Sequence, residues 1–275
     1  MGYDRLLADR VVLVSGGTMG VGAATAIAAA EAGACAVVVT GRRPETSETT
    51  LERIRAAGAD GRYIQADVAD VHQAIASVEQ TVVDFGRIDC LVNAAAVVDR
   101  GTLIETTPEF FDWHVAVNLR APFFTMQAAV KDMLSRGAPG SIVNVLSTSM
   151  HVGQTILAAY VASKGGLAHV TKNAAHAHRF DRIRINGLNI GWTITEGEDA
   201  VQRRAHGATD GWYEEAAAKM PMGKLGQPDL IEQTHGLVVQ AIEHPLGTPE
   251  VHRHAGRTLQ GNAHVLERGQ VGESG

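Results

Sequence analysis

The sequence predicts an α/β architecture, a doubly wound parallel sheet of about seven strands with helices on both faces. Three observations predict it. Short β-branched runs alternate with longer helical patterns at intervals of roughly 25 residues, as β–α–β units do. The runs are apolar at consecutive positions rather than alternate ones, which suits strands buried on both faces. The turn between the first run and the first helical pattern, Ser15-Gly16-Gly17-Thr18-Met19-Gly20-Val21-Gly22, is rich in glycine, where such folds bring the backbone close to a ligand.

The elements follow in order. Val11–Val14 reads as the first strand, and the Ala-rich stretch from Val21 to Ala32 as the first helix. Ala36–Thr40 is a second strand, Thr46–Ala57 a polar helix, and Tyr63–Ala66 a third strand. Val71, Ile75, Val78 and Val82, spaced 4, 3 and 4, mark a helix over Val71–Phe85. Ile88–Asn93 and Ile142–Leu146 are strands on either side of a long helix from about Pro108 to Arg136. A helix over Leu157–His178 and a strand over Ile183–Leu188 complete the regular pattern. The weaker, polar stretch 196–228 is expected to be a helical lid over a substrate, and 245–275 a divergent tail with a closing strand near Ala263–Glu267. No linker interrupts the chain, so one domain over 1–275 is expected.

Composition narrows the function classes. With 24 basic against 30 acidic residues and a net charge of −6, no overall basic footprint for nucleic acid exists. The charge-free stretch Val11 to Ala30 carries a Ser-Gly-Gly-Thr break and reads as strand–loop–helix rather than a membrane span. The first ten residues show no signal-peptide pattern, so a cytoplasmic protein is expected. Cys35 and Cys90 are expected to be buried, reduced and unpaired near strands two and four. Twelve His are present, but His252 and His254 are two apart and the others scattered, so no metal site is expected.

In the glycine turn, Gly16 permits tight turning, Gly20 lets the backbone approach a pyrophosphate, and Gly22 permits close helix–strand packing. The helix behind it offers free N–H groups and the positive end of its dipole to phosphate. The residue ending the second strand selects between dinucleotides, because an acid there binds a ribose 2′-hydroxyl and repels a 2′-phosphate. Here the stretch is Thr40-Gly41-Arg42-Arg43, with no acid and with a guanidinium able to clamp phosphate. NADP is therefore expected, with NAD as the alternative, although two solvated surface arginines would read the same way.

Tyr160-Val161-Ala162-Ser163-Lys164 places a Tyr and a Lys on one helix face. A nearby cation favours phenolate, so the pair predicts a Tyr pKa below its usual value of about 10 and a phenol able to exchange protons. Alone, Tyr-x-x-x-Lys is a common helix face. Ser147, thirteen residues earlier at the end of a strand, can donate to a substrate oxygen as charge builds there. Pro122 lacks the N–H that would pair with the carbonyl of Asn118 in a helix, which frees that carbonyl to hold a proton-relaying water.

The Gly-x-x-x-Gly-x-Gly order, with Ser15 for the usual Thr, together with Asn118, Ser147, Tyr160 and Lys164 at these spacings, resembles the short-chain dehydrogenase/reductase family of Rossmann-fold oxidoreductases over about residues 8–195. Asp67-Val68 resembles its adenine contact, and Leu91-Val92-Asn93-Ala94-Ala95-Ala96 its L-V-N-N-A-G, with Ala at the second Asn and at the Gly. Ile190-Gly191-Trp192-Thr193-Ile194-Thr195 resembles its P-G turn with Ile for Pro. The resemblance implies a catalytic set of Asn118, Ser147, Tyr160 and Lys164. It implies cofactor contacts from Gly16, Thr18, Met19, Gly20, Val21, Gly22, Arg42, Asp67, Val68, Asn93, Tyr160, Lys164, Ile190, Gly191, Thr193 and Thr195. The implied chemistry is reversible hydride transfer between a nicotinamide and a secondary alcohol or ketone, with Tyr160 exchanging the proton and Lys164 also holding the nicotinamide ribose. Asp99, Arg100, His151 and Arg203-Arg204-His206 hint at a sugar or polyol substrate. A homotetramer is expected, with a homodimer as fallback, through Phe123, Met126, Ala129, Val130, Leu167, Val170, Ala174 and Ala175. The alternatives are a lyase or dehalogenase on the same fold, against which Lys164 and the intact glycine turn argue, and a non-catalytic NADP-binding regulator.

Overall fold

The computed structural model describes residues 5–220, 223–226 and, as backbone, 263–265. A seven-stranded sheet has the order β3-β2-β1-β4-β5-β6-β7. Its strands are β1 Val11–Ser15, β2 Ala36–Gly41, β3 Asp60–Gln65, β4 Cys90–Asn93, β5 Gly140–Ser147, β6 Ile183–Ile190 and β7 Ala263–Val265. Six of them are parallel. The expected parallel sheet of seven is corrected at the last strand, where three residues pair antiparallel with β6. Apart from those three, the tail from 245 onward lies outside the described residues, as do His252, His254 and lid positions 221–222 and 227–228.

The order reverses direction between β1 and β4, and the crevice at the carboxyl ends of the strands opens there. Helices α1 Gly20–Glu31, α2 Glu48–Ala56, α3 Val71–Phe85, α4 Pro108–Val115, α5 Ala121–Ser135, α6 Ala158–Ala177, α7 Glu196–His206 and α8 Trp212–Ala218 cover the sheet and extend beyond it. Strands β1, β4 and β5 are buried at every position, which explains their unalternating composition. Val12, Val14, Val37 and Val39 pack on one face with the alanines of α1. Leu13, Leu91, Ile142 and Leu146 pack on the other, against Met126, Met133 and Leu167 of α5 and α6. Each fully buried Leu or Ile contributes about 1.5–3 kcal/mol relative to exposure.

Helix α3 begins where Asp70 accepts from His72 N and ends at Gly86, whose φ of 73° closes the last turn. The long helix expected over Pro108–Arg136 is interrupted: residues Ala116–Arg120 form a π-helical turn between α4 and α5. Pro122 follows it directly, and its missing N–H leaves the carbonyl of residue 118 without the partner an α-helix would give it. The weakly patterned segment after β6 forms α7 and α8, with Thr195 as a side-chain cap and Gly207 in the left-handed region at the end of α7.

One side-chain expectation is corrected. Cys90 is buried, but Cys35 is exposed, because it lies in the bend before β2 rather than within it. Of the residues expected at a subunit interface, Met126, Ala129, Val130 and Leu167 are already buried against the chain's own sheet. Val170, Ala174 and Ala175 pack on the same cluster, and Phe123 is 43% exposed.

Candidate active site

A cleft of about 2520 Å³ runs along the carboxyl ends of the strands. That exceeds the roughly 300–1,000 Å³ of an ordinary small-molecule pocket and leaves room for a dinucleotide with a second ligand. Gly16, Thr18, Met19, Gly20, Val21 and Gly22 all line it. A Cβ at Gly22 would stand 2.0 Å from the Gly16 carbonyl oxygen, so α1 can approach the turn this closely only with glycine there. Gly20 takes a φ of 54°, and a Cβ on it would meet Thr195 at 3.5 Å and nothing else described within 4 Å, so the missing side chain keeps this stretch of the cleft open. Met19 caps α1 without a side-chain bond and no acid sits in the first turn, which leaves the helix's leading N–H groups for an anion.

Arg42 and Arg43 line the cleft at the end of β2, both exposed, and among the described residues neither guanidinium has a hydrogen-bond or ionic partner. Asp67 and Val68 lie opposite at the end of β3. Asp67 is held in a local turn, its Oδ1 accepting from Ala69 N at 3.0 Å and its N donating to Gln73 at 2.9 Å. Asn93 does not line the cleft. Its amide donates to Asn144 Oδ1 at 2.9 Å and accepts from Thr125 at 2.8 Å, and Asn144 donates in turn to Thr171 at 2.9 Å. All four are buried, so Asn93 ties β4 to β5 and to α5 rather than reaching a ligand directly.

Ser147, Tyr160 and Lys164 converge on the cleft floor. Ser147, at the end of β5, donates to Ser149 Oγ at 3.0 Å and accepts from Ser149 N at 3.2 Å, and its hydroxyl lies near enough to the Tyr160 phenol to favour ionisation of it. Lys164 is 2% exposed, its Nζ 5.9 Å from the centre of the Tyr160 ring and 2.7 Å from the Val145 carbonyl oxygen, to which it donates. Burial lowers its pKa from 10.5 to about 8. The expectation of a lowered Tyr160 pKa is reversed: burial raises it, and the nearby Glu198 charge adds to this, against the Ser147 hydroxyl and the Arg100 charge. Desolvation of the phenolate therefore outweighs nearby positive charge, and Tyr160 stays a phenol at neutral pH.

Asn118 is fully buried in the π-helical turn and does not line the cleft. Its side chain clamps the segment after β4, accepting from Val97 N at 2.8 Å and donating to Val97 O at 2.9 Å, and it donates to Ser163 Oγ at 3.1 Å. Ile190, Gly191, Thr193 and Thr195 form the wall between β6 and α7. Beside them Asn189, 0% exposed, lines the cleft with neither amide atom hydrogen-bonded among the described residues.

Sequence reasoning did not single out Glu198. Thr195 and Glu198 stand as Ser/Thr-x-x-Glu at the start of α7, and the Thr does cap it, accepting from Glu198 N at 3.1 Å. The pattern ordinarily sends the Glu side chain back to the cap. Here it turns into the cleft, where Oε1 accepts from Arg100 at 2.6 Å, from Trp192 at 2.9 Å and from Gln202 at 2.7 Å. A second ion pair, Asp99 to Arg204, joins the same two segments nearer solvent. Among the described residues no group of His, Cys, Asp and Glu is placed to hold a metal ion, and no helix is long and apolar enough to cross a membrane.

The family model for short chain dehydrogenases matches residues 10–205. The chain belongs to that family. This short-chain dehydrogenase is 37% identical over 191 residues to a probable galactose dehydrogenase, GalD, of Rhizobium meliloti, covering 69% of this chain and 74% of that one. It is 32% identical over 222 residues to the 3-oxoacyl-(acyl-carrier-protein) reductase FabG of Staphylococcus aureus, covering 81% and 87%. Among solved structures it resembles a gluconate 5-dehydrogenase from Burkholderia cenocepacia in complex with NADP and tartrate, with a TM-score of 0.75 and 29% identity over 88% of this chain and 91% of that one. This chain departs from the family sequence pattern at Ala94, Ala96 and Ile190, all three of which line the cleft.

Proposed function

We propose that the chain interconverts a secondary alcohol and a ketone with NADP(H). The observation that carries the reading is that Ser147, Tyr160 and the buried Lys164 line one dinucleotide-sized cleft together. The residues present fit the cofactor. The open stretch at Gly20 and the leading N–H groups of α1 suit a pyrophosphate, and the unpartnered Arg42 and Arg43 suit a 2′-phosphate. The unpaired amide of Asn189 offers one donor and one acceptor farther along the cleft. When bound, the nicotinamide supplies or receives hydride.

The protein's part is to bind the reacting oxygen and move its proton. Tyr160, kept protonated by burial, donates to the ketone oxygen as negative charge develops there, and Ser147 donates a second hydrogen bond to the same oxygen. Lys164, mostly protonated at pH 7 with a pKa of about 8, stabilises the phenolate left on Tyr160. In the alcohol direction Tyr160 must first lose its proton, so that direction gains from alkaline pH. Asn118 acts from outside the cleft by holding Val97 and Ser163, the second of which neighbours Lys164 on α6. The segment carrying α7 and α8 covers the substrate end of the cleft. Phe111, Phe123 and Leu134, exposed on α4 and α5, support assembly into a homotetramer or a homodimer.

The test is a panel of cyclic ketones, secondary alcohols and polyols, followed at the nicotinamide absorbance with NADPH, NADH and their oxidised forms. Turnover with preference for the phosphorylated cofactor supports the proposal. No turnover of any alcohol or ketone, despite cofactor binding, overturns it in favour of a cofactor-binding regulator.

A further inference from the structure

Resting on that reading, we propose that Glu198 is a specificity residue whose free carboxylate oxygen accepts a hydrogen bond from a substrate hydroxyl, so that the enzyme selects neutral polyhydroxylated substrates over carboxylates and phosphates. Glu198 is 7% exposed, on the first turn of α7, and lines the cleft. It shares that cleft with Tyr160 and Ser147.

Its hydrogen bonds are lopsided. Oε1 takes three donors, from Arg100, Trp192 and Gln202, while nothing described donates to Oε2. With no protein donor, Oε2 is left to accept from whatever occupies the cleft, water or a ligand. The indole and the amide fix the carboxylate, so Oε2 has a set place. Arg100 is itself well occupied, donating through Nη1 to Val98 O at 2.6 Å and through Nη2 to Glu198, and its Nε has no acceptor among the described residues.

Charge decides which ligand group fits. Arg100 and Glu198 neutralise each other, and Arg204 and Asp99 do the same nearer the surface. Neither arginine therefore offers surplus positive charge to an anion beside Glu198, and the unmet carboxylate oxygen repels one. A hydroxyl, which donates to Oε2 and whose own oxygen can accept from a nearby N–H or water, satisfies the site without bringing charge. An aliphatic group satisfies nothing and leaves Oε2 desolvated.

The experiment compares kcat/KM for two matched series, cyclohexanol, trans-1,2-cyclohexanediol and 3-hydroxycyclohexanecarboxylate, and 2-hexanol, sorbitol and gluconate. Wild type is expected to favour the neutral diol or polyol at least tenfold over both the plain alcohol and the acid in one series or the other. Glu198→Gln should collapse the hydroxyl-to-plain-alcohol ratio at least tenfold, chiefly through KM. Taking the ratio removes any change in Tyr160 protonation, which acts on both substrates alike. Because Glu198→Gln leaves Arg100 without its counter-ion, the double variant Arg100→Met/Glu198→Met, which removes the charge pair together, is measured beside it, with NADPH binding by fluorescence as the check of fold. Loss of the hydroxyl preference in whichever variant binds NADPH supports the proposal. A wild type that favours the acid, or a hydroxyl preference unchanged in a variant that binds NADPH, overturns it while leaving alcohol oxidation intact. Failure of wild type on every alcohol in both series and on their ketones overturns the proposed function itself.

Discussion

Replacing Lys164 with Met probes the electrostatics of the cleft. The ammonium is buried, among the described residues no carboxylate pairs with it, it donates to the Val145 carbonyl oxygen, and burial lowers its pKa from 10.5 to about 8. At ~1.4 kcal/mol per pH unit, keeping this group charged in the folded protein costs on the order of 3 kcal/mol. The direction with pH follows from proton counting. Between about pH 8 and 10.5 the unfolded chain binds more protons at this residue than the folded one, so wild-type stability rises with pH across that window. Below pH 8 the whole penalty is present. Met carries no charge and a similar volume, but it removes the donor to Val145 O, a loss of about 1 kcal/mol. The variant should therefore be more stable than wild type by about 2 kcal/mol at pH 7. The difference should vanish and then reverse as pH approaches 10.5. Urea unfolding of both proteins without cofactor, in parallel at pH 7, 9 and 10.5, measures it. Equal or lower stability of the variant at pH 7, or a difference that does not shrink with pH, would refute the reasoning.

Tyr160→Phe keeps the ring and removes the proton donor, so kcat should fall below a tenth of wild type while NADPH binding, followed by fluorescence, stays within about twofold. Because burial holds the Tyr160 phenol above its ordinary pKa, ketone reduction should not lose rate through this group between pH 6 and 9, and alcohol oxidation should rise over the same range; a pH–rate profile in each direction checks both. Arg42→Ala should weaken NADPH binding by about 1.5–3 kcal/mol, the range for a charge-assisted hydrogen bond, and leave NADH binding nearly unchanged, as isothermal titration with each cofactor would show. Asn93→Ala should lower unfolding stability by about 1–3 kcal/mol by stranding the Asn144 amide oxygen, with little change in cofactor affinity, whereas a large loss of affinity at full stability would restore Asn93 to the cofactor site.

The sheet was legible because each strand is a short apolar run between turn residues, and α3 because Val71, Ile75, Val78 and Val82 repeat at helical spacing. The cleft-lining glycines, Arg42, Ser147, Tyr160 and Lys164 were legible for a related reason: their spacing along one strand end or helix face already places them. The directions of the Asn93 and Asn118 side chains were not legible, because a sequence shows that an amide is present and not which way it points, and both are consumed by neighbours; the Asn118 backbone carbonyl, which the sequence singled out, is a separate group. The sign of the Tyr160 shift was unreadable, since it depends on how much protein covers the phenol rather than on the Lys four residues away. Glu198 was concealed by a capping pattern that is present and only half used. Cys35 was expected to be buried beside the second strand, but the bend that carries it just before β2 leaves it exposed.

The Asn93–Asn144 contact bears on how the sheet assembles. Strand β4 has four residues, yet it separates β1 from β5, two strands more than a hundred residues apart in sequence. A run as uniformly apolar as Cys-Leu-Val has little in its side chains to distinguish one alignment from the next, and parallel pairing over such distances forms slowly. The amides supply the missing mark. Sliding β4 by one residue would turn Asn93 to the other face and bury Asn144 with one partner fewer, a penalty large enough for the misaligned strand to detach and try again. Because none of the four side chains in the chain Thr125–Asn93–Asn144–Thr171 titrates, this proofreading of alignment works equally in acid, in alkali and at any salt concentration.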